Sequence, residues 1–149
     1  GVVLARTQAV GLGGYARQDG FTHASIPSTD FWYPALQSVA SEIYPRAGID
    51  WADVDGLMIY DNFTPTVLFS LEGMGFCGQG EGGAFVRDGR LQLDHGVLPT
   101  NTSGGHLSES YMQAVRQLRG ECGDRQIPDC EVIQYICATN IALSAILHN

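Results

Sequence analysis

Positive charge is scarce in this sequence, and the scarcity limits the partners it can have. Only 8 of the 149 residues are Lys or Arg, against 16 Asp and Glu, so the formal net charge is −8. Nucleic-acid-binding proteins carry a basic stripe that neutralises phosphates. No such stripe exists here, and we expect no nucleic-acid partner. Three arginines are interpreted as solvated surface charges, with contacts to an acidic partner or to ligand phosphates as the alternative: Arg116, Arg119 and Arg125.

Long apolar runs and paired cysteines are also missing. No apolar segment reaches the roughly 18 residues that cross a bilayer, so we expect no membrane span. The segment from Ile141 to Leu147 better suits a buried strand. The four cysteines stand singly, without a C-x-x-C pair, which argues against a zinc site and a disulfide framework. With no signal-peptide pattern before the first apolar run, we expect a reducing, cytoplasmic setting.

Helical and strand-like segments alternate over the first two thirds of the chain, which predicts one domain of α/β layer architecture. The first predicted elements are a strand over 2–10 closed by a glycine turn over 11–14, and a helix over 31–47 that is capped by 28–30 and ended by Gly48. A buried strand that ends at Tyr60 follows, then a helix from Thr64 to about Met74, a glycine-rich loop over 73–83 and a turn at 88–89. The last predicted elements are an extended segment over 98–101, a helix over 107–119, and an antiparallel strand pair over 131–137 and 141–147.

A first group of polar residues, Tyr60-Asp-Asn-Phe63, follows the predicted buried strand directly. Side chains at this place lie at the carboxyl edge of a sheet, where ligands bind in open α/β folds. On this interpretation Asp61 and Asn62 contact substrate. The structural alternative, which the spacing alone favours, is that Tyr60 packs locally while Asp61 or Asn62 caps the next helix.

A second group extends from Asn101 to Tyr111. Its Thr-Ser-Gly-Gly core lets the backbone approach a ligand closely and offers N–H groups to a developing oxyanion. We single out four residues of this loop as substrate- or oxyanion-binding: Asn101, Ser103, Gly104 and Gly105. His106 and Tyr111 follow within about two helical turns. The structural alternative is a helix start capped by Ser103, with His106 as an ordinary surface or structural histidine.

Both groups resemble active-site loops of the thiolase superfamily. The Asn101-x-Ser-Gly-Gly105 loop, followed by a helix, resembles the N-x-x-G-G loop of sterol-carrier-protein-type thiolases, and Tyr111 falls at the position of the family's catalytic histidine. Tyr60-Asp-Asn-Phe63 resembles the family's H-D-C-F or N-E-A-F, with Tyr60 at the His/Asn position. The resemblance runs from about Phe31 onward. It implies that residues 1–149 form a thiolase-like C-terminal half, with a mixed central sheet and helices packed on it, and that the enzyme has an N-terminal half besides.

The pair of tyrosines is similar to thiolase-like aldolases of bacterial steroid side-chain degradation, which are often described as lipid-transfer proteins. This resemblance implies a lyase that cleaves a bulky β-hydroxyacyl-CoA by a retro-aldol reaction to a ketone and a shorter acyl-CoA. CoA would enter only as part of the thioester substrate, with no covalently bound cofactor and no metal. The implied partners are the N-terminal thiolase half, a second copy in a homodimer, and an OB-fold subunit with a zinc ribbon.

Retro-aldol cleavage explains why tyrosines would replace histidine and asparagine. The reaction needs a base for the β-hydroxyl proton, donors for the thioester enolate, and an acid for the carbanion. Tyr111 and Tyr60 are the candidate base and acid, and the sequence leaves the two roles interchangeable; we assign Tyr111 as the base. A phenol has a pKa of about 10, so the base needs a neighbour that favours phenolate, and His106 is the nearest in sequence.

Cys137 keeps two other activities open. It falls near the second reactive cysteine of thiolases but lacks the glycine of their C-x-G motif, so we interpret it as a buried core residue. If it is instead a nucleophile or acid, the protein is an acetyl-CoA acyltransferase (a thiolase). A third possibility is a non-catalytic lipid carrier or scaffold subunit.

Overall fold

The computed structural model describes residues 13–17, 32–105, 110–138 and 142–149, and within them it has the expected α/β architecture. Its strands are β1 (Gly13–Arg17), β2 (Gly56–Ile59), β3 (Val132–Ala138) and β4 (Ala142–His148). Its helices are α1 (Trp32–Ala47), α2 (Thr64–Gly73), α3 (Gly82–Phe85) and α4 (Ser110–Leu118), with short 3₁₀ turns over 51–53, 87–89 and 123–125.

The four strands form one mixed sheet in the order β1-β4-β3-β2. β1 and β3 both pair antiparallel with β4, while β2 pairs parallel with β3. The predicted antiparallel pair of C-terminal strands is therefore confirmed. Thr100 makes an isolated parallel bridge to Leu57, so the predicted extended segment adds to the sheet beyond β2.

The two best-marked helices form where their signals predict them. α1 buries Leu36, Val39 and Ile43 against the sheet, and its end is followed by Gly48 at a φ of +70°, a left-handed conformation that favours glycine. The proposed cap over 28–30 lies outside the described residues. α2 begins at Thr64, with Pro65 in the first turn, where a missing N–H costs nothing. α4 matches the described part of the helix predicted over 107–119.

The prediction for the N-terminal glycines is wrong. Gly13 and Gly14, assigned to a turn, instead lie in β1 opposite Ile146 and Ala145 of β4. Glycine is unfavourable inside a strand, which is why the local sequence predicts a turn. Pairing with β4 supplies backbone hydrogen bonds that outweigh this unfavourable propensity. The strand predicted over 2–10 lies outside the described residues.

Helices cover both faces of the sheet, and strand periodicity assigns side chains to each. Leu57 and Ile59 belong to the core beneath α1 and α2, whereas Met58, between them, belongs to a second core beneath α4. The same alternation takes Tyr60 to the α4 face. Over the described stretches of the chain, no helix has the length and apolar character needed to cross a bilayer.

Candidate active site

The first site loop starts where β2 ends. The Tyr60 N–H donates to the Ile136 carbonyl at 2.8 Å, which continues the parallel pairing one residue past β2. Because Met58 lies opposite Tyr135 in that register, Tyr60 comes beside Cys137 on the same face. Tyr60 and Asp61 are half-buried and Asn62 is exposed. Tyr60 therefore lies at the carboxyl edge of the sheet, as the sequence predicts.

Asn101 connects the second loop to β2 through its side chain. Its Oδ1 accepts from the Ile59 N–H at 2.8 Å, and its Nδ2 donates to the Ile59 carbonyl at 3.0 Å. Its own N–H donates to the Leu57 carbonyl at 2.9 Å. The amide thus acts as the peptide group of a neighbouring strand would, and it fixes this loop beside Tyr60. A direct contact between Asn101 and substrate stays a prediction.

The glycine pair turns the loop toward Asp61. The Gly104 N–H donates to the Asn101 carbonyl at 2.9 Å, and Gly104 has a φ of +97°. A Cβ placed on Gly105 would lie 3.6 Å from Asp61 Oδ2, so the two predicted loops adjoin at this point. The Gly104 N–H is already used within the turn, and Ser103 is exposed. The roles of all three loop residues in binding an oxyanion remain predictions.

The buried side chain of Gln117 fastens this loop to α4. Its Nε2 donates to Thr102 Oγ1 at 2.8 Å and to the Arg125 carbonyl at 2.6 Å, and its Oε1 accepts from the Ile127 N–H at 2.8 Å. Arg125 adds a longer contact, from Nη1 to the Ser103 carbonyl at 3.4 Å. The loop therefore rests on a helix and a turn that are both remote in sequence.

The arginine cluster is only partly the solvated group that the sequence suggests. Arg116 and Arg125 are exposed. The Arg119 side chain is only 15% exposed and forms an ion pair of 3.8 Å with Glu121. Interpreting all three as solvated charges is therefore wrong for Arg119, whose side chain is largely shielded from solvent.

Tyr111 and Tyr135 form an aromatic pair on the α4 face. Tyr111 is the second described residue of α4 and is 40% exposed. Its ring meets that of Tyr135 edge to face, with centroids 6.3 Å apart and planes at 84°. Tyr135 is half-buried and shares a side-chain hydrogen bond with Cys137; burial, Cys137 and the nearby Tyr60 together raise the pKa of the Tyr135 hydroxyl. Tyr60, Tyr135 and Cys137 thus share the α4 face of β2 and β3, and Tyr111 contacts Tyr135 from α4.

Sequence reasoning missed Tyr135, although a signal for it exists. Tyr135 and Cys137 are two residues apart in a predicted strand, so they share one face. Cys137 is half-buried and hydrogen-bonded to Tyr135, so the structure does not bury it as the interpretation as a core residue requires. His106, the proposed neighbour of the base, lies outside the described residues.

The other three cysteines differ from Cys137 in their surroundings. Burial, with smaller contributions from Glu72 and Glu81, raises the pKa of Cys77 to about 11, and burial raises that of Cys130 to about 12. Burial also raises the pKa of Cys122. All three are therefore protonated thiols near neutral pH. Among the described residues, no group of three or more His, Cys, Asp or Glu side chains is placed to hold a metal ion.

Comparisons with known proteins agree on one family. The profile described as "Thiolase C-terminal domain-like" matches residues 19–142. A 17-hydroxy-3-oxo-4-pregnene-20-carboxyl-CoA lyase of Mycobacterium tuberculosis is 42% identical over 94 residues, which are 58% of this chain and 24% of that protein. A steroid side-chain-cleaving aldolase of Thermomonospora curvata is 40% identical over 94 residues, with the same coverage of 58% and 24%.

A solved structure supports the same assignment. The chain is similar to the "Ltp2-ChsH2(DUF35) aldolase" with a TM-score of 0.81 and 30% identity, over 91% of this chain and 38% of that one. The chain spans about a quarter of the length of the mycobacterial lyase and of the Thermomonospora aldolase. A profile match over most of the sequence and a shared fold lead to one conclusion. The chain belongs to the thiolase C-terminal domain-like family.

Proposed function

We propose that this chain is the tyrosine-bearing part of a carbon–carbon lyase that cleaves a β-hydroxyacyl-CoA by a retro-aldol reaction. The observation that carries the proposal is that Tyr60, Tyr111 and Tyr135 lie on one face of the sheet, and that Tyr60 adjoins the loop over 101–105. The two relatives are named as a lyase and an aldolase, which supports the same reaction class. Since the chain spans about a quarter of their length, the rest of the protein completes the site.

In this reaction Tyr111, as phenolate, removes the proton of the β-hydroxyl group. The bond between the α and β carbons then breaks, the β carbon becomes the carbonyl of a ketone, and the electron pair passes into a thioester enolate. Tyr60 protonates the α carbon and yields the shorter acyl-CoA. Tyr111 suits the role of base because its side chain is partly exposed, which leaves it open to a substrate.

The proposed substrate is an acyl-CoA with a tertiary β-hydroxyl group on a bulky, steroid-like skeleton. Retro-aldol cleavage of a tertiary alcohol gives a ketone, and the names of both relatives refer to steroids or to pregnene carboxyl-CoA. The negative charge that develops on the thioester oxygen needs N–H donors nearby. The proposed donors are in the loop over 101–105, and the fixing of this loop next to Tyr60 by Asn101 supports that assignment.

The proposed active assembly contains an N-terminal thiolase half, a second copy of the protein, and an OB-fold partner with a zinc ribbon, in the cytoplasm. The name of the structurally similar aldolase includes a DUF35 component, which supports a partner subunit. Large apolar side chains near the site are exposed, namely Phe63 at 69% and Met112 at 51%. Exposed apolar groups of this size are typical of surfaces that other polypeptide covers.

An acyltransferase activity is the second candidate, and one observation favours it. Cys137 lies on the tyrosine face and is hydrogen-bonded to Tyr135, so it is within the site. In that case Cys137 would act on the acyl-CoA with a nucleophile supplied by the rest of the protein, as an acetyl-CoA acyltransferase requires. A lipid carrier or scaffold with no turnover is the outcome left if both activities are missing.

The test uses the whole protein with its partner subunit and a β-hydroxyacyl-CoA that bears a tertiary alcohol. We expect ketone and shortened acyl-CoA, with losses of about 10²- to 10⁴-fold in kcat for Tyr111→Phe and Tyr60→Phe. Tyr33→Phe is the matched control, because Tyr33 packs against the core on the opposite face. Acyl exchange that disappears in Cys137→Ser would establish the acyltransferase instead. If wild type forms neither product, the carrier or scaffold is the remaining function.

A further inference from the structure

Tyr135 occupies a place between the two proposed catalytic tyrosines that no sequence motif indicates. It lies near the middle of β3, opposite Met58 of β2 and Ala145 of β4. Strands on both sides therefore fix its backbone, whereas Tyr111 belongs to helix α4. The contact between the two rings thus joins α4 to the middle of the sheet.

A chain of buried hydrogen bonds supports the Tyr135 backbone from behind. Its carbonyl accepts from Ser144 Oγ at 2.8 Å, and Ser144 Oγ accepts from Gln134 Nε2 at 2.9 Å. The Gln134 Oε1 in turn accepts from the Tyr44 hydroxyl at 3.1 Å. Ser144 and Gln134 are both fully buried. These bonds link β3 to β4 and to α1, so Tyr135 stands on a part of the sheet that has little freedom to move.

The Tyr135 side chain is oriented at both ends. Its ring packs edge to face with Tyr111, a geometry that aromatic pairs favour. Its hydroxyl shares a hydrogen bond with Cys137, which is beside Tyr60 in the β2–β3 register. Tyr135 therefore touches the proposed base through its ring and, through Cys137, reaches the strand end that carries the proposed acid.

We propose that Tyr135, oriented by Cys137, is the positioning residue that sets the geometry of Tyr111 relative to Tyr60. This inference rests on the proposed lyase function. Tyr135 is not assigned a contact with substrate. It acts because a proton-transferring group must lie within hydrogen-bond reach of its target, and an error of about 1 Å in placement lowers the rate by about 10²-fold.

Substitutions separate the ring from the hydroxyl. Tyr135→Leu removes both, and we expect kcat to fall about 10²-fold, with KM changed less than about threefold. Tyr135→Phe keeps the ring contact and loses the bond to Cys137, so its loss in kcat should be several-fold smaller. Cys137→Ala should match Tyr135→Phe, whereas Cys137→Ser, which keeps a hydrogen-bonding group, should lose less of its kcat than Cys137→Ala.

Two controls distinguish positioning from general damage. Tyr33→Phe changes a tyrosine that packs against the core on the opposite face and takes no part in the bonds behind Tyr135, so it should leave kcat unchanged. Tyr135→Leu combined with Tyr111→Phe should be no slower than Tyr111→Phe alone, because a residue that acts through Tyr111 has no effect once the Tyr111 hydroxyl is gone.

The closing experiment measures steady-state kinetics of these variants in the whole protein with its partner, alongside a fluorine NMR signal from 3-fluorotyrosine at position 111. The expected result is a shifted signal in Tyr135→Leu and, among the variants at positions 135 and 137, the largest fall in kcat in Tyr135→Leu, with smaller falls in Tyr135→Phe and Cys137→Ala. An unchanged signal, or equal kcat in wild type and Tyr135→Leu while Tyr111→Phe is inactive, would overturn the role of Tyr135 and leave the lyase standing. A wild type that cleaves no substrate overturns both.

Discussion

Replacing Gln117 with Leu should detach the site loop from α4 and destabilise the protein. Gln117 is 1% exposed and makes three hydrogen bonds through its amide, to Thr102, to the Arg125 carbonyl and to the Ile127 N–H. Leucine has a similar size, so it leaves little empty volume. The main effect is therefore the loss of polar partners from a buried place.

The size of the destabilisation depends on which of the three hydrogen-bond partners of Gln117 can bond to water instead. Ile127 is 4% exposed, so its N–H is left buried without an acceptor, at a cost of about 1–3 kcal/mol. The Arg125 carbonyl and the Thr102 hydroxyl belong to more exposed residues and recover part of their loss from solvent. The expected total is about 2–4 kcal/mol in the free energy of unfolding.

Gln113→Leu is the matched control for this prediction. Gln113 lies one turn earlier in α4 and is 3% exposed, but its amide donates to the Cys122 sulfur, a weak acceptor, at 3.3 Å. In urea unfolding of the whole protein, Gln117→Leu should lower the midpoint by about 1 M or more, and Gln113→Leu by clearly less. Equal midpoints for the two variants would refute the conclusion that the Gln117 bonds hold the loop.

Three further predictions test other parts of the structure. In the same urea assay, the free energy of unfolding should be about 1 kcal/mol higher for Asn101→Gly than for Asn101→Ala. Both variants lose the hydrogen bonds of the side-chain amide, but only alanine is strained at a φ of +50°. The Glu72 carboxylate accepts hydrogen bonds from the N–H groups of Gly80 and Gly82, one on each oxygen. Glu72→Gln replaces one of these oxygens with an NH₂ group, so one N–H loses its acceptor and the rate of proteolysis within 78–82 should rise. Alkylation of Cys130 by iodoacetamide, followed by mass spectrometry, should be slow at pH 7 and rise about tenfold per pH unit up to its pKa of about 12, since only the thiolate reacts; a rate that levels off near pH 9 would contradict this assignment.

Elements whose signals are local were predictable from the sequence. α1 has apolar residues at helical spacing and a terminal Gly48, and β3 and β4 are apolar segments separated by a short break. In each case the chain itself carries the pattern that packing later uses. β1 was not predictable, since Gly13 and Gly14 become a strand only by pairing with β4, more than a hundred residues away.

The candidate site shows the same division. Tyr60 and Tyr111 were found because each belongs to a recognisable motif. Tyr135 was missed because a tyrosine within an apolar strand is typical of ordinary core packing, and only the placement of α4 gives it a partner. The structural role of Asn101 was not predictable for a related reason. Its side-chain amide hydrogen-bonds to Ile59, 42 positions earlier in the chain, and no local pattern specifies that contact.

The arrangement explains how the side chains at positions 60 and 111 can change without moving the candidate site. Tyr60 is placed by its own N–H, which donates to the Ile136 carbonyl, and the loop over 101–105 is placed by Asn101 and Gln117. None of these bonds involves the phenol of Tyr60 or of Tyr111. A histidine or asparagine at either position would therefore occupy the same sheet edge, while the chemistry would change with the side chain's pKa and reach. A tyrosine also needs a neighbour against which its ring can pack, and for Tyr111 that neighbour is Tyr135.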